Sequence, residues 1–167
     1  MDKAASKRVF VAEGISTPRS HTYYRYEMKR DLATEIEQGF SLPVVVKAAS
    51  RGSSIGVYIV ETKDALEGAL KEAFFYNDEV LVEEFIDGQE IEVAVLGNES
   101  PCASVCGEIE AGAEFYDYEA KYLSDSARFY VPARISEELS EQVRETAVKV
   151  YTAMECRGLA RVDFFVR

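Results

Sequence analysis

The residues best suited to chemistry lie in the run Lys47-Ala48-Ala49-Ser50-Arg51-Gly52-Ser53-Ser54-Ile55-Gly56. Its glycines let backbone N–H groups approach a ligand closely, and its serines add hydroxyl donors. Lys47 and Arg51 add positive charge. N–H groups, hydroxyls and cations in one loop suit the oxygens and the charge of a polyphosphate. The pattern is not a Walker loop, because no Gly-Lys-Ser/Thr closes it. Taken alone, the same residues also serve a plain hairpin turn.

A second candidate is the pair Arg161 and Asp163 in Leu159-Ala160-Arg161-Val162-Asp163-Phe164-Phe165-Val166. Charges inside so apolar a strand are costly to bury without a purpose. A half-exposed strand with a cross-face salt bridge is the plain alternative. Lys3, near the start of a helix, gains nothing from the helix dipole and by itself reads as a solvated lysine. The single histidine, His21, reads as a surface residue and is given no role.

Elements must hold these residues in place. Met1 to Glu13 reads as a helix with Met1, Ala5, Val9 and Ala12 on one stripe and Gly14 as the stop. Ser16-Thr17-Pro18 breaks the chain. His21 to Glu27 reads as a strand with Thr22, Tyr24 and Tyr26 alternating, and Asp31 to Gln38 as a short helix. Val44–Val46 and Val57–Val60 read as strands on either side of the glycine loop. Thr62 to Phe75 is a helix that Thr62 can cap, with Ala65, Leu66, Ala69, Leu70, Ala73 and Phe74 on its apolar face.

Strands are then expected at Glu79–Ile86, at Gln89–Leu96 with Ile91, Val93 and Val95 inward and Glu90 and Glu92 outward, and at Pro101–Ile109. Residues 110–134 have no clean period and are rich in aromatics and charge, which points to a functional loop. Ser136 caps a helix whose buried side is Leu139, Val143, Ala147, Val150 and Met154, ended by Gly158. There are no internal repeats, low-complexity tracts or linkers. The mixture, with several adjacent antiparallel-type strands, predicts an α+β (α/β two-layer) sandwich rather than a doubly wound sheet.

The 167 residues suffice for one domain or two small lobes. A net charge of −11 argues against nucleic acid as a general partner, though not against a nucleotide in a locally basic site. Three cysteines without a Cys-x-x-Cys pair suggest neither disulfides nor zinc. Cys102 and Cys106 would share one strand face as buried thiols. No leader-like apolar segment opens the chain, and no apolar stretch approaches the roughly 18 residues of a membrane span. A reducing cytoplasm is expected, with no membrane partner.

Several segments match a known family in order. They are Met1-Asp2-Lys3, Leu42-Pro43-Val44-Val45-Val46-Lys47 with Arg51 to Val57, Glu79-Val80-Leu81-Val82-Glu83-Glu84-Phe85-Ile86-Asp87-Gly88 with Glu90, and Gly158 to Phe165. The most specific is Phe115-Tyr116-Asp117-Tyr118-Glu119-Ala120-Lys121-Tyr122. Together they resemble the ATP-grasp part of the D-alanine–D-alanine ligases, over nearly the whole chain.

The resemblance implies two antiparallel-sheet lobes that grip ATP, residues 1–88 as the small central lobe and 89–167 as an incomplete large C-terminal lobe. It implies Lys3 and Lys47 on phosphate oxygens, and Glu83 on the adenine amino group with Glu84, Phe85 and Ile86 lining the same slot. Glu90 would take the ribose hydroxyls. Ser53 and Ser54 would line the substrate side, and Lys121 would reach the γ-phosphate. Tyr122 would lock the long loop. Arg161 would stabilise the oxyanion and Asp163 would bind Mg²⁺, or Mn²⁺ in its place. The implied reaction joins two D-alanines through an acyl phosphate for peptidoglycan synthesis. Tyr122 favours an amine as second substrate.

Measured against the family pattern, the chain begins after the N-terminal domain that also serves dimerisation. It stops before the strand whose Glu-x-Asn pair holds both metal ions. The expectation is a truncated ATP-binding piece, poor or inactive as a catalyst alone, with a sheet edge beside the Asp163 strand that favours self-association. Ala48 stands where relatives often have Pro, which loosens the strand exit. The alternatives are another ATP-grasp carboxylate–amine ligase and a non-catalytic nucleotide-binding module.

Overall fold

Alternation in Val44-Val45-Val46-Lys47-Ala48 sets the first sheet: Val44, Val46 and Ala48 are buried, while Val45 and Lys47 take the opposite face. In the computed structural model the described residues are 2–52, 55–110 and 128–167. They fall into two compact units, Met1–Arg8 with Thr17–Ile86, and Val9–Ser16 with Asp87–Arg167.

In the first unit β1 (Ser20–Tyr24), β2 (Val44–Ala48), β3 (Val57–Val60) and β4 (Glu79–Glu84) form an antiparallel sheet in the order β1-β4-β2-β3. Its valine face packs on α2 (Leu32–Gly39) and α3 (Lys63–Tyr76) through Ile36, Leu66, Leu70 and Phe74. Asp31 caps α2 by accepting from the Thr34 N–H. Thr62 stands at the start of α3 but makes no side-chain cap. The other sheet face carries Lys47 and Glu83. Beside it runs α1 (Lys3–Ala12), whose Ala4 packs on Ala49 and Leu81.

The buried residues of α1 are Ala4, Ser6 and Lys7, not the expected stripe of Ala5, Val9 and Ala12. A small side chain lets the helix approach, and a buried carboxylate draws the lysine inward. The strand expected to reach Glu27 ends at Tyr24 and passes into a 3₁₀ turn, Arg25–Lys29. Its buried residue is Tyr23, out of phase with Thr22, Tyr24 and Tyr26, and Tyr26 is exposed. The sequence alternates on both phases there, and only the core decides which faces in.

In the second unit β5 (Gln89–Gly97) is central. β9 (Gly158–Val166) pairs with its whole length, from Gln89 opposite Val166 to Gly97 opposite Gly158. Its other side is shared by β7 (Gly107–Glu110) and β6 (Cys102–Ala103), and β8 (Arg128–Tyr130) extends the sheet beyond β7. Among the described residues β9 pairs only with β5. Ile91, Val93 and Val95 pack with Val143, Ala147 and Tyr151 of α4 (Glu137–Ala153), which Ser136 caps at the Leu139 N–H. Gly88 is required where it stands, since a Cβ there would fall 2.6 Å from the Val166 carbonyl oxygen.

The strand expected over Pro101–Ile109 is broken between β6 and β7, so Cys102 and Cys106 do not share a face. Cys102 is exposed and Cys106 is buried. β8 falls inside the stretch read as a loop, because three residues are too few to show a period.

Candidate functional site

In the first unit β2 and β4 run antiparallel with Val45 opposite Glu83 and Lys47 opposite Leu81. Side chains from both strands therefore meet on the face away from the valine core. Glu83 is 5% exposed. Its Oε2 accepts from Lys47 Nζ at 2.5 Å, and its Oε1 lies 3.2 Å from Lys7 Nζ. Lys3 donates to the Ala48 carbonyl at 3.2 Å and to that of Arg51, so it ties the start of α1 to the foot of the glycine loop.

Burial lowers the pKa of Lys3, and the positive charge of Lys47 lowers it further. Burial also lowers that of Lys7, against the pull of Glu83. Lys7 and Lys47 pair with Glu83, and Lys3 lies close enough to feel both Lys47 and Glu83, with Asp2 and Glu84 also within electrostatic reach of the cluster.

The loop is fixed at both ends. The Ala48 N–H donates to Gly56 O at 2.8 Å, and the Ala49 N–H to Glu79 O at 3.0 Å. Gly56 has φ +70°, with Ala48 Cβ 3.0 Å from where its own Cβ would lie. Arg51 Nε donates to Tyr76 O at 3.3 Å, and Asn77 donates to the Ser50 hydroxyl. Next to Glu83, Glu84 Oε1 accepts from the Arg19 N–H at 2.7 Å, while Phe85 and Ile86 are half-buried.

In the second unit the outward face of β5 and β9 carries Glu90, Glu92, Arg161 and Asp163, with Glu92 directly opposite Asp163. The Arg161 guanidinium is bidentate on Asp163, at 2.7 and 3.1 Å, and lies 3.0 Å from Glu92 Oε2. The hydrogen bond to Asp163 raises the pKa of Arg161. Glu92 Oε2 is buried and has the ion pair without a well-aimed hydrogen bond. The like charges of Glu92 and Asp163 would repel across the strands without the arginine between them.

A family model described as "D-ala D-ala ligase C-terminus" matches residues 10–167. The chain belongs to that family. D-alanine--D-alanine ligases of Pelodictyon phaeoclathratiforme and Acetivibrio thermocellus are 46% and 47% identical to it over 99% of this chain. The chain spans about half the length of these curated relatives, 47% and 45%.

Among solved structures, the VanG D-Ala:D-Ser ligase from Enterococcus faecalis superimposes with a TM-score of 0.88 at 38% identity, over 99% of this chain and 48% of that one. The D-alanine--D-alanine ligase from Bacillus anthracis gives 0.79 at 35%, over 99% and 52%. The expected α+β fold of the ATP-grasp type is therefore the fold of this ligase-family chain.

Of the expected site residues, the ligase-family chain brings Lys3, Lys47 and Glu83 together around one sheet face, with Glu84 beside them. Arg161, Asp163 and Glu90 share the outward face of the second sheet. Ser53, Ser54, Lys121 and Tyr122 lie outside the described residues. Among the described residues no group of three or more His, Cys, Asp or Glu is arranged to hold a metal ion. The carboxylate oxygens of Asp163 and Glu92 are hard donors of the type Mg²⁺ takes, so the donor chemistry fits. No helix of these residues is long and apolar enough to cross a membrane.

Lys7 was not expected in the site. Its signal was the Lys3-x-x-x-Lys7 spacing, which puts both lysines on one helix face. A cluster around Glu108 was also unforeseen. This buried carboxylate accepts from the Arg134 backbone at 2.9 Å, from its guanidinium at 2.7 and 3.0 Å, and from Gln89 at 3.2 Å. Those bonds, with Arg134's side chain foremost, hold its pKa down at about 2.

Proposed function

We propose that this chain is the ATP-binding part of a D-alanine–D-alanine ligase working in a reducing cytoplasm. The observation that carries this reading is the alignment of nearly the whole chain, at 46% identity, with a ligase of that name. The lysine-rich sheet face is its physical support. Lys3 and Lys47 take phosphate oxygens, Glu83 accepts from the adenine amino group, and Glu84, Phe85 and Ile86 line the base. Glu90 takes the ribose hydroxyls. Ser53 and Ser54 would line the substrate side, Lys121 would reach the γ-phosphate, and Tyr122 would help lock the long loop.

A carboxylate oxygen of the first D-alanine attacks the γ-phosphorus and ADP leaves. The amine of the second D-alanine then attacks the acyl phosphate, loses a proton, and expels inorganic phosphate. Arg161 stabilises the negative charge that develops on the acyl oxygen. Asp163 would hold Mg²⁺, which supplies charge neutralisation for the phosphates. One solved relative is a D-Ala:D-Ser ligase, so D-serine is a second reading for the acceptor.

Calorimetric titration of the chain with ATP, with and without Mg²⁺, tests the nucleotide part. Saturable binding that weakens about tenfold or more in Lys47→Ala is expected, the effect of losing a charge-assisted contact. Equal binding by wild type and variant would refute the phosphate role. The acceptor is settled by product analysis of the full-length parent with D-alanine and D-serine.

A further inference from the structure

Two lysines hold Glu83, and they are held very differently. Lys7 comes from α1 and spends its three N–H groups on Thr17 Oγ1 at 2.9 Å, Pro18 O at 2.6 Å and Glu83 Oε1 at 3.2 Å. Only 9% of the residue is exposed. Lys47 stands at the foot of the glycine loop, and among the described residues its ammonium donates to Glu83 Oε2 alone. Its side chain is also the more accessible of the two. One cation is fully committed and the other has N–H groups to spare.

In ATP binding, Lys47 goes to phosphate oxygens and Glu83 to a base amino group. Drawing Lys47 away removes one of the two charges that balance a buried carboxylate, which is costly unless another cation stays. We propose that Lys7 is a positioning residue, the standing counter-ion that keeps Glu83 aimed at the exocyclic amino group of a purine nucleotide while Lys47 engages the phosphates. Lys7 also fixes the Thr17–Pro18 segment, and the Arg19 N–H that follows it holds Glu84 at 2.7 Å. The orientation of both carboxylates therefore runs through one turn that Lys7 pins. Lys7 has no need to touch the nucleotide.

This inference rests on the ATP-binding reading, and base selectivity separates the two. ATP and ITP share their phosphates, but ITP has a carbonyl where ATP has the amino group. The wild-type chain and Lys7→Met are titrated calorimetrically with each nucleotide. The wild type prefers ATP. In Lys7→Met the ATP affinity falls about tenfold more than the ITP affinity, the scale of one hydrogen bond to a charged group, so the preference collapses. Lys7→Arg keeps the cation and restores part of it.

A folded Lys7→Met with the wild-type preference would mean that Lys7 is only structural, and would overturn the inference. If Lys7→Met does not fold, the test passes to Lys7→Gln, which keeps a donor for Thr17 or Pro18 but removes the cation. The ATP/ITP ratio then falls several-fold, and an unchanged ratio there overturns the inference equally. A wild type that binds both nucleotides alike sinks the Glu83–Lys7 inference and leaves ATP binding standing. A wild type that binds neither sinks both.

Discussion

The two units carry opposite charge designs. In the first, lysines crowd one buried carboxylate; in the second, carboxylates crowd one exposed arginine. Ion-pair distances are similar, 2.5 and 3.2 Å at Glu83 against 2.7 and 3.0 Å at Arg161. Exposure is not: the Glu83 side chain is 6% accessible, and those of Arg161 and Asp163 are 57% and 52%. Distance alone would rank these pairs as equals. The dielectric around them separates them, because a buried charge that loses its partner cannot turn to water. Lys7 and Glu83 are therefore a fixed frame, while Lys47 and the exposed ions of the second cluster can change partners at lower cost.

The hardest test of that contrast is Glu83→Ala. It leaves Lys7, almost buried and already spending its other donors on Thr17 and Pro18, with no carboxylate. Breaking a buried pair from one side costs about 3–5 kcal/mol. Urea denaturation should show a loss of that size. A loss below about 1 kcal/mol would place Glu83 with ordinary surface pairs and remove the contrast.

The Glu108 cluster gives the second unit a buried carboxylate of its own, and acid should expose it. The folded pKa is about 2, below the 4.5 of the unperturbed group. The unfolded chain thus takes up the proton first as pH falls. The stabilisation from Glu108 is complete above pH 4.5 and is lost progressively towards pH 2. Thermal melts from pH 6 to pH 2.5 should fall through that window, and Glu108→Gln should flatten the fall. A fall that is identical in Glu108→Gln would assign the acid sensitivity elsewhere.

Periodicity in the sequence was enough for α3, α4, β5 and β9, since each buries one face over two or more turns or several alternations. By contrast β4, buried on both faces from Val80 to Glu83, was legible only as a short apolar run between turns. Lys47 and the Arg161–Asp163 pair were legible for a related reason, being charges set into apolar strands. Lys7 left only the Lys3-x-x-x-Lys7 spacing, which puts it on the Lys3 face of the helix but does not bury it. Burying a lysine runs against local preference, and only Glu83, distant in sequence, makes it reasonable. Cys102 and Cys106 do not follow a single strand period because the strand breaks between Ala103 and Gly107, where Val105 is exposed. Arg134 could not be tied to Glu108 from the chain alone, since its partners Glu108 and Glu110 stand on β7, more than twenty residues earlier.

Asp163→Asn should be the mildest of these changes to the fold. Arg161 keeps Glu92 at 3.0 Å, and the register opposition of two carboxylates on β5 and β9 is relieved. A half-exposed pair is worth about 1 kcal/mol or less, so urea denaturation should move by no more than that in either direction. The consequence belongs to binding instead. Mg²⁺ should strengthen ATP binding to the wild type and have little effect on Asp163→Asn, as read by calorimetry with and without the ion. If Asp163→Asn instead lost as much stability as Glu83→Ala, exposure would not be what separates the two units. The arginine of the second would then be as firmly framed as the carboxylate of the first.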